Sequence, residues 1–150
     1  MRHSITSSAV LAAITCVEDL LPFKNYITEG VRRGLVHVVQ QIAQHMTGDG
    51  RRLLDIGCGP MDKTAVFQQL GFECYAADDL LDPWHRRDRN LELIMRFADR
   101  MGINFHLQSD SDYSIPFPTD YFDVVTLFDV IEHLHESPRG ILNTAGMHLK

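Results

Sequence analysis

The chain has 150 residues, 45 % of them hydrophobic, with 14 basic and 20 acidic side chains for a formal net charge of −6. One domain with a real core is the default at this length. The acidic balance disfavours a bulk nucleic-acid binder, which needs basic patches to meet phosphates.

Three cysteines, Cys16, Cys58 and Cys74, are odd in number and far apart. They disfavour a disulfide framework or a zinc site and favour a reducing cytoplasm. No apolar run approaches the ~20 residues of a membrane span. The apolar stretch from Ser7 to Val17 follows a single arginine, Arg2, and leads into Glu18 to Phe23, a poor cleavage region. It reads as a core-facing helix rather than a signal sequence.

That first helix is expected over Ser7 to Leu21, ending at Pro22. Thr28 can cap a second. In it Val31, Leu35, Val38, Ile42 and Met46 recur every three to four residues, an amphipathic stripe ended by residues 47–50. Residues 1–49 therefore form a helical extension, a lid on the domain that follows. Strand and helix then alternate from residue 50. Arg51 to Gly57 is a strand, Met61 to Leu70 a helix stopped by Gly71, and Phe72 to Asp79 a second strand. Leu80 to Asn90 is a loop carrying Trp84 and His85, which sit near the mouth of a strand-end ligand site or seal the core edge. Asn90 can cap a helix with Leu91, Ile94, Phe97, Ala98 and Met101 on one side. Ile103 to Leu107 alternates like a third strand. Phe122 to Phe128 is nearly all apolar, as a strand covered on both faces should be. Ser137 and Pro138 open a last helix that runs to the end. This order predicts a doubly wound, mostly parallel α/β sheet over residues 50–150.

Ligands in such folds sit beyond the carboxyl ends of the strands. The first end carries Gly57 to Thr64, G-C-G-P-M-D-K-T, close to a phosphate loop, which needs glycine where Asp62 stands. A dinucleotide turn needs a glycine at the same place. Pro60 also removes an N–H from any anion nest. Lys63 and Thr64 therefore read as first-turn helix residues. The strand ends instead present a row of carboxylates: Asp55, then Asp78 or Asp79, then Asp110 or Asp112, then Asp129. That row is hostile to phosphates. It suits a ligand with an ammonium, a ribose diol, an adenine amino group and a positive sulfur, and S-adenosylmethionine carries all four.

Three segments in order, "LLDIGCGP", "GFECYAADD" and "DYSIPFPTDYFDVVTLFDVIEHL", resemble class I S-adenosylmethionine-dependent methyltransferases over residues 50–150. The resemblance implies a Rossmann-like methyltransferase fold and methyl transfer to a small-molecule or sugar- or lipid-linked acceptor. It implies that Gly57, Cys58 and Gly59 form the turn against the cofactor's methionine part, with the following helix pointing its positive end at the cofactor carboxylate. Asp55 would fix the turn's N–H groups or meet the ammonium. Asp78, with Asp79 as the alternative, would hold the ribose diol. Asp110, with Ser111 beside it and Asp112 competing, would accept from the adenine amino group. Phe128 and Asp129 close the fourth strand, with Phe128 against the ligand or in the core. Glu132, His133 and Glu136 would lie on successive helical turns, and His133 is the candidate general base. Met61 stands where the family often has a third glycine, and its side chain is expected to narrow the pocket. Only four strands are readable, so the fourth is expected to expose an apolar edge. A fragment of a longer protein, self-association through that edge, or a non-catalytic cofactor-binding or scaffold module would each account for this.

Overall fold

The computed structural model describes residues 5–46, 48–109 and 114–150. Two helices come first, α1 (Ser7–Leu20) and α2 (Glu29–His45). Each is capped by a threonine: Thr6 accepts from the Ala9 N–H, and Thr28 from the Val31 N–H, satisfying donors with no intrahelical partner. α1 buries Val10, Ala13, Ile14 and Val17 at helical spacing. In α2 the fully buried pair is Leu35 and Val39, so the stripe runs one position beyond the expected Val38. Arg32 of α2 pairs with Glu18 of α1.

The four strands β1 (Arg52–Ile56), β2 (Glu73–Asp78), β3 (Asn104–Leu107) and β4 (Val124–Thr126) are all parallel, in the order β3-β2-β1-β4. The chain steps outward from β1 to β3, then returns to the other flank of β1. That reversal makes the carboxyl end between β1 and β4 the switch point where doubly wound sheets bind ligands. Helices α3 (Asp62–Gln69), α4 (Pro83–Arg86), α5 (Asn90–Met101) and α6 (Arg139–His148) complete the fold.

Leu53, Leu54, Asp55 and Ile56 are all buried, because side chains alternate across a sheet covered on both faces. Leu53, Cys74, Ala76 and Val124 pack with α1, α2, α3 and α5 in one core. Leu54, Ile56 and Ala77 face Ile115, Phe122 and α6 in the other. The N-terminal helices thus share the core of the sheet's first face.

Three local differences from the sequence reading bear on the site. Asp82 accepts from the Trp84 N–H and starts a four-residue helix inside the expected loop. The β4 ladder is short, and Phe122 instead bridges Leu149 just after α6. Beyond β4, Asp129 takes φ +54° and Leu134 is extended, so residues 131–133 form one 3₁₀ turn. Glu132, His133 and Glu136 therefore do not stack on a regular helix. The outer edge of β4 has no strand partner among the described residues beyond that single bridge.

Met61 corrects another expectation. It has φ +62° yet is wholly buried, and the left-handed turn sends its side chain into the core rather than into the pocket. Left-handed geometry costs a non-glycine residue roughly 1–2 kcal/mol, less than burial of a methionine contributes. A Met61→Gly variant, although glycine suits that backbone, should unfold at lower denaturant, with a net loss of about 1–3 kcal/mol.

Asp55 joins three elements. It is 1 % exposed; Thr64 of α3 donates to its Oδ2 at 2.5 Å and Thr126 of β4 to its Oδ1 at 2.8 Å. Burial lifts its pKa from 3.8 to about 7, against the pull of the two hydroxyls. The folded state therefore holds a proton that the unfolded chain releases near pH 4. Stability should fall from about pH 4 to pH 7, by about 1.4 kcal/mol per unit where only the unfolded state is ionised, and level off above. An Asp55→Asn variant should lack this dependence, so that its stability relative to the parent rises across that window in urea titrations.

Candidate functional site

A cavity of about 630 Å³ opens at the carboxyl ends of β1, β2 and β4. Its floor is the β1–α3 turn, Gly57, Cys58, Gly59 and Pro60. Gly57 has φ +75°, donates its N–H to Ala77 O at 2.8 Å, and lies so near Val130 that an added β-carbon would meet Cγ2 at 2.5 Å. No side chain fits there. Gly59 has φ +52° and donates its N–H to Asp78 Oδ2 at 2.7 Å. Cys58 lines the cavity, but burial above all holds its thiol well above the ordinary pKa. It is a packing group rather than a nucleophile.

The carboxylates divide into two sets. Asp78, Asp79, Asp82, Asp62 and Asp129 line the cavity; Asp55 does not. Asp55 lies beneath the turn with both oxygens on threonine hydroxyls, so it fixes the turn through α3 and β4. Asp78 ends β2, half-buried, with Oδ2 on the Gly59 N–H and Oδ1 on the Leu80 N–H at 2.7 Å. A carboxylate offers about four lone-pair sites, so Asp78 keeps capacity for a ligand's hydroxyls. Asp79 is exposed and takes the Leu81 N–H at 2.9 Å. The candidates Asp110, Ser111 and Asp112 lie outside the described residues.

Phe128 lines the cavity and also stacks on Phe67 of the core at 6.1 Å between centroids. Asp129 is held by Lys63, its Oδ2 3.0 Å from the ammonium. His133 is exposed and lines the same cavity, without Glu136.

Sequence reasoning placed Lys63 in the first turn of α3, as found, but not among the site residues; it also approaches Asp62 at 3.8 Å. Burial pulls the Lys63 pKa down, but the Asp62 and Asp129 carboxylates outweigh it and leave it raised. The amine stays charged, so Lys63 neutralises and does not act as a base. Asp62 is 2 % exposed at the first turn of α3. Burial raises its pKa, opposed by Lys63 and by the N–H groups of Asp62 and Lys63. The positive helix end is therefore already served by an internal carboxyl.

Three more lining residues come from outside the strand ends proper. Tyr26 arrives from the α1–α2 connection, and Trp84 and His85 from α4. Phe23, Tyr26 and Trp84 pack together, with Trp84 4.8 Å from Phe23 and 5.4 Å from Tyr26 between ring centroids. Tyr26 has a raised pKa, through burial first and then Asp62. The available signal was two aromatic residues in a short inter-helix loop; nothing in sequence tied them to residue 84. Gln108, just past β3, lines the far side.

This geometry agrees with what the chain is similar to. A family model described as a methyltransferase domain matches residues 27–150. The Ubiquinone biosynthesis O-methyltransferase of Cereibacter sphaeroides is 29 % identical over 108 residues, 67 % of this chain and 41 % of that protein. The uncharacterized methyltransferase YcgJ of Bacillus subtilis is 27 % identical over 95 residues, 63 % of this chain and 35 % of its own length. The crystal structure of YcgJ superposes with a TM-score of 0.53 at 24 % identity, covering 79 % of this chain and 47 % of that one, a likeness of fold. The chain thus spans less than half the length of these relatives. With the parallel sheet, the glycine turn and the matched span together, the chain belongs to the methyltransferase domain family and has its Rossmann-like fold.

Proposed function

We propose that the cavity binds S-adenosylmethionine and that the protein transfers its methyl group to an oxygen of a small-molecule acceptor, free or linked to a sugar or lipid. The observation that carries this reading is the Asp78 carboxylate, fastened to the glycine turn within a cavity lined by five aspartates and one lysine. That lining attracts a cationic adenosine derivative and repels polyphosphate. The choice of oxygen draws on the O-methyltransferase relative.

When bound, the sulfonium supplies an activated methyl group, which leaves little for the protein to do beyond positioning and exclusion of water. Asp78 is suited to two ribose hydroxyls side by side. Gly57 and Gly59 permit close approach of the ligand to the backbone. Phe128 and Trp84 wall the cavity with apolar surface. His133, exposed on the cavity wall, is the base assigned to the acceptor proton. The helical segment before residue 50 acts as a lid through Tyr26, which reaches the same cavity as the turn.

The sequence holds a single tryptophan, Trp84, and it lines the cavity. Addition of S-adenosylmethionine or its demethylated product should therefore change its emission in a saturable way, whereas NAD and ATP should not. Saturable binding of NAD with none of the sulfonium would sink the reading. Gly57→Ala should abolish binding, since the new methyl group meets Val130. Asp78→Ala should weaken binding by about 1–3 kcal/mol, and calorimetry should show it. It should also lower stability, because two backbone N–H groups lose their acceptor.

A further inference from the structure

His85 is the cavity-lining residue whose hydrogen bonding the fold leaves incomplete. Its ring packs against Trp84 at 5.5 Å between centroids. Its Nδ1 is buried and has no hydrogen-bond partner among the described residues. The opposite edge faces the glycine turn: a β-carbon built on Gly59 would stand 3.6 Å from Nε2 and 3.9 Å from Cε1. A neutral imidazole carries one N–H. Burying that N–H unpaired at Nδ1 is the more costly choice, since orphaned buried donors are rarer than under-used acceptors. The proton therefore belongs on Nε2, where it presents a donor above the turn.

Three donors near the turn are occupied. The Gly57 N–H is on Ala77 O and the Gly59 N–H on Asp78. The Lys63 ammonium lies between Asp129 and Asp62. A ligand seated on this turn with an anionic end needs a donor, and the fold offers it an imidazole.

We propose that His85 is a ligand-binding residue whose Nε2–H donates to the carboxylate of the donor's amino-acid end, in place of the α3 helix terminus. This rests on the reading that the cavity takes S-adenosylmethionine.

The test is calorimetry on the whole chain with S-adenosylhomocysteine and with methylthioadenosine, which keeps the nucleoside but lacks the amino-acid end. His85→Phe, which keeps a ring but no donor, should weaken S-adenosylhomocysteine about tenfold or more, as expected for a hydrogen bond to a charged group. It should leave methylthioadenosine within about twofold. His85→Gln, whose amide N–H reaches a position like that of Nε2, should restore most of the lost affinity. Equal losses for both ligands would make His85 a packing residue and overturn the proposal, as would unchanged affinity for both. Failure of the parent chain to bind either ligand would overturn this proposal and the cofactor assignment together. A parent that binds both, with a His85→Phe variant that does not discriminate, overturns this one alone.

Discussion

The structure turns on one buried carboxyl. Asp55 sits at the last inward position of β1 and binds a hydroxyl from α3 on one side and from β4 on the other. Those two elements come from opposite ends of the domain sequence, 9 and 71 residues away. A polar group in this place has to be fully hydrogen-bonded or it costs several kcal/mol, so the pairing fixes where α3 begins and how β4 lies against β1. The turn between β1 and α3 inherits its position from that constraint. Of the two roles the sequence left open for Asp55, a support beneath the turn or a contact to the ammonium, the hydrogen bonds supply a support, made through threonine hydroxyls and not through the turn's N–H groups.

Above this layer the site is organised by the competition for a few donors. Asp78 takes two backbone N–H groups, Asp62 serves the start of its own helix, and Asp129 holds Lys63. Each interaction makes the acidic rim tolerable in the absence of a cationic ligand, and each leaves carboxylate lone pairs facing the cavity. The positive backbone conformations at Gly57, Gly59 and Asp129 lie on the cavity, and those at Met61 and Leu80 lie within two residues of its lining in the chain. Such strain persists only where surrounding contacts over-determine it, and here those contacts are the Asp55 and Asp78 networks together with the burial of Met61 and Leu80.

The N-terminal helices contribute to the core and to the site at once. α1 and α2 bury their apolar stripes against the sheet's first face, and the short connection between them carries Phe23 and Tyr26 onto Trp84. The cavity is therefore closed from one side by a segment remote from the strand ends in sequence. The opposite side is formed by the 3₁₀ turn after β4, where His133 and Leu134 meet α6.

The sequence by itself determined the element order, the parallel class of sheet, the glycine turn and the row of strand-end acids. These are local properties: apolar period, caps at Thr28, stops at Gly71 and Gly102, and an aspartate, Asp62, where phosphate and dinucleotide turns need glycine. Which acids line the cavity was decided by tertiary structure. Asp55 and Asp78 look alike in sequence, each a carboxylate at a strand end, and the register puts both on one face of the sheet; Asp55 lies one level lower, on threonines under α3, while Asp78 reaches the Gly59 N–H. Met61 was misread, and Lys63 and Tyr26 were not read as site residues, for the same reason. A left-handed turn, an ion pair and an aromatic contact across about sixty residues leave no periodic trace in the chain, because the packing that creates them exists only once the sheet has formed.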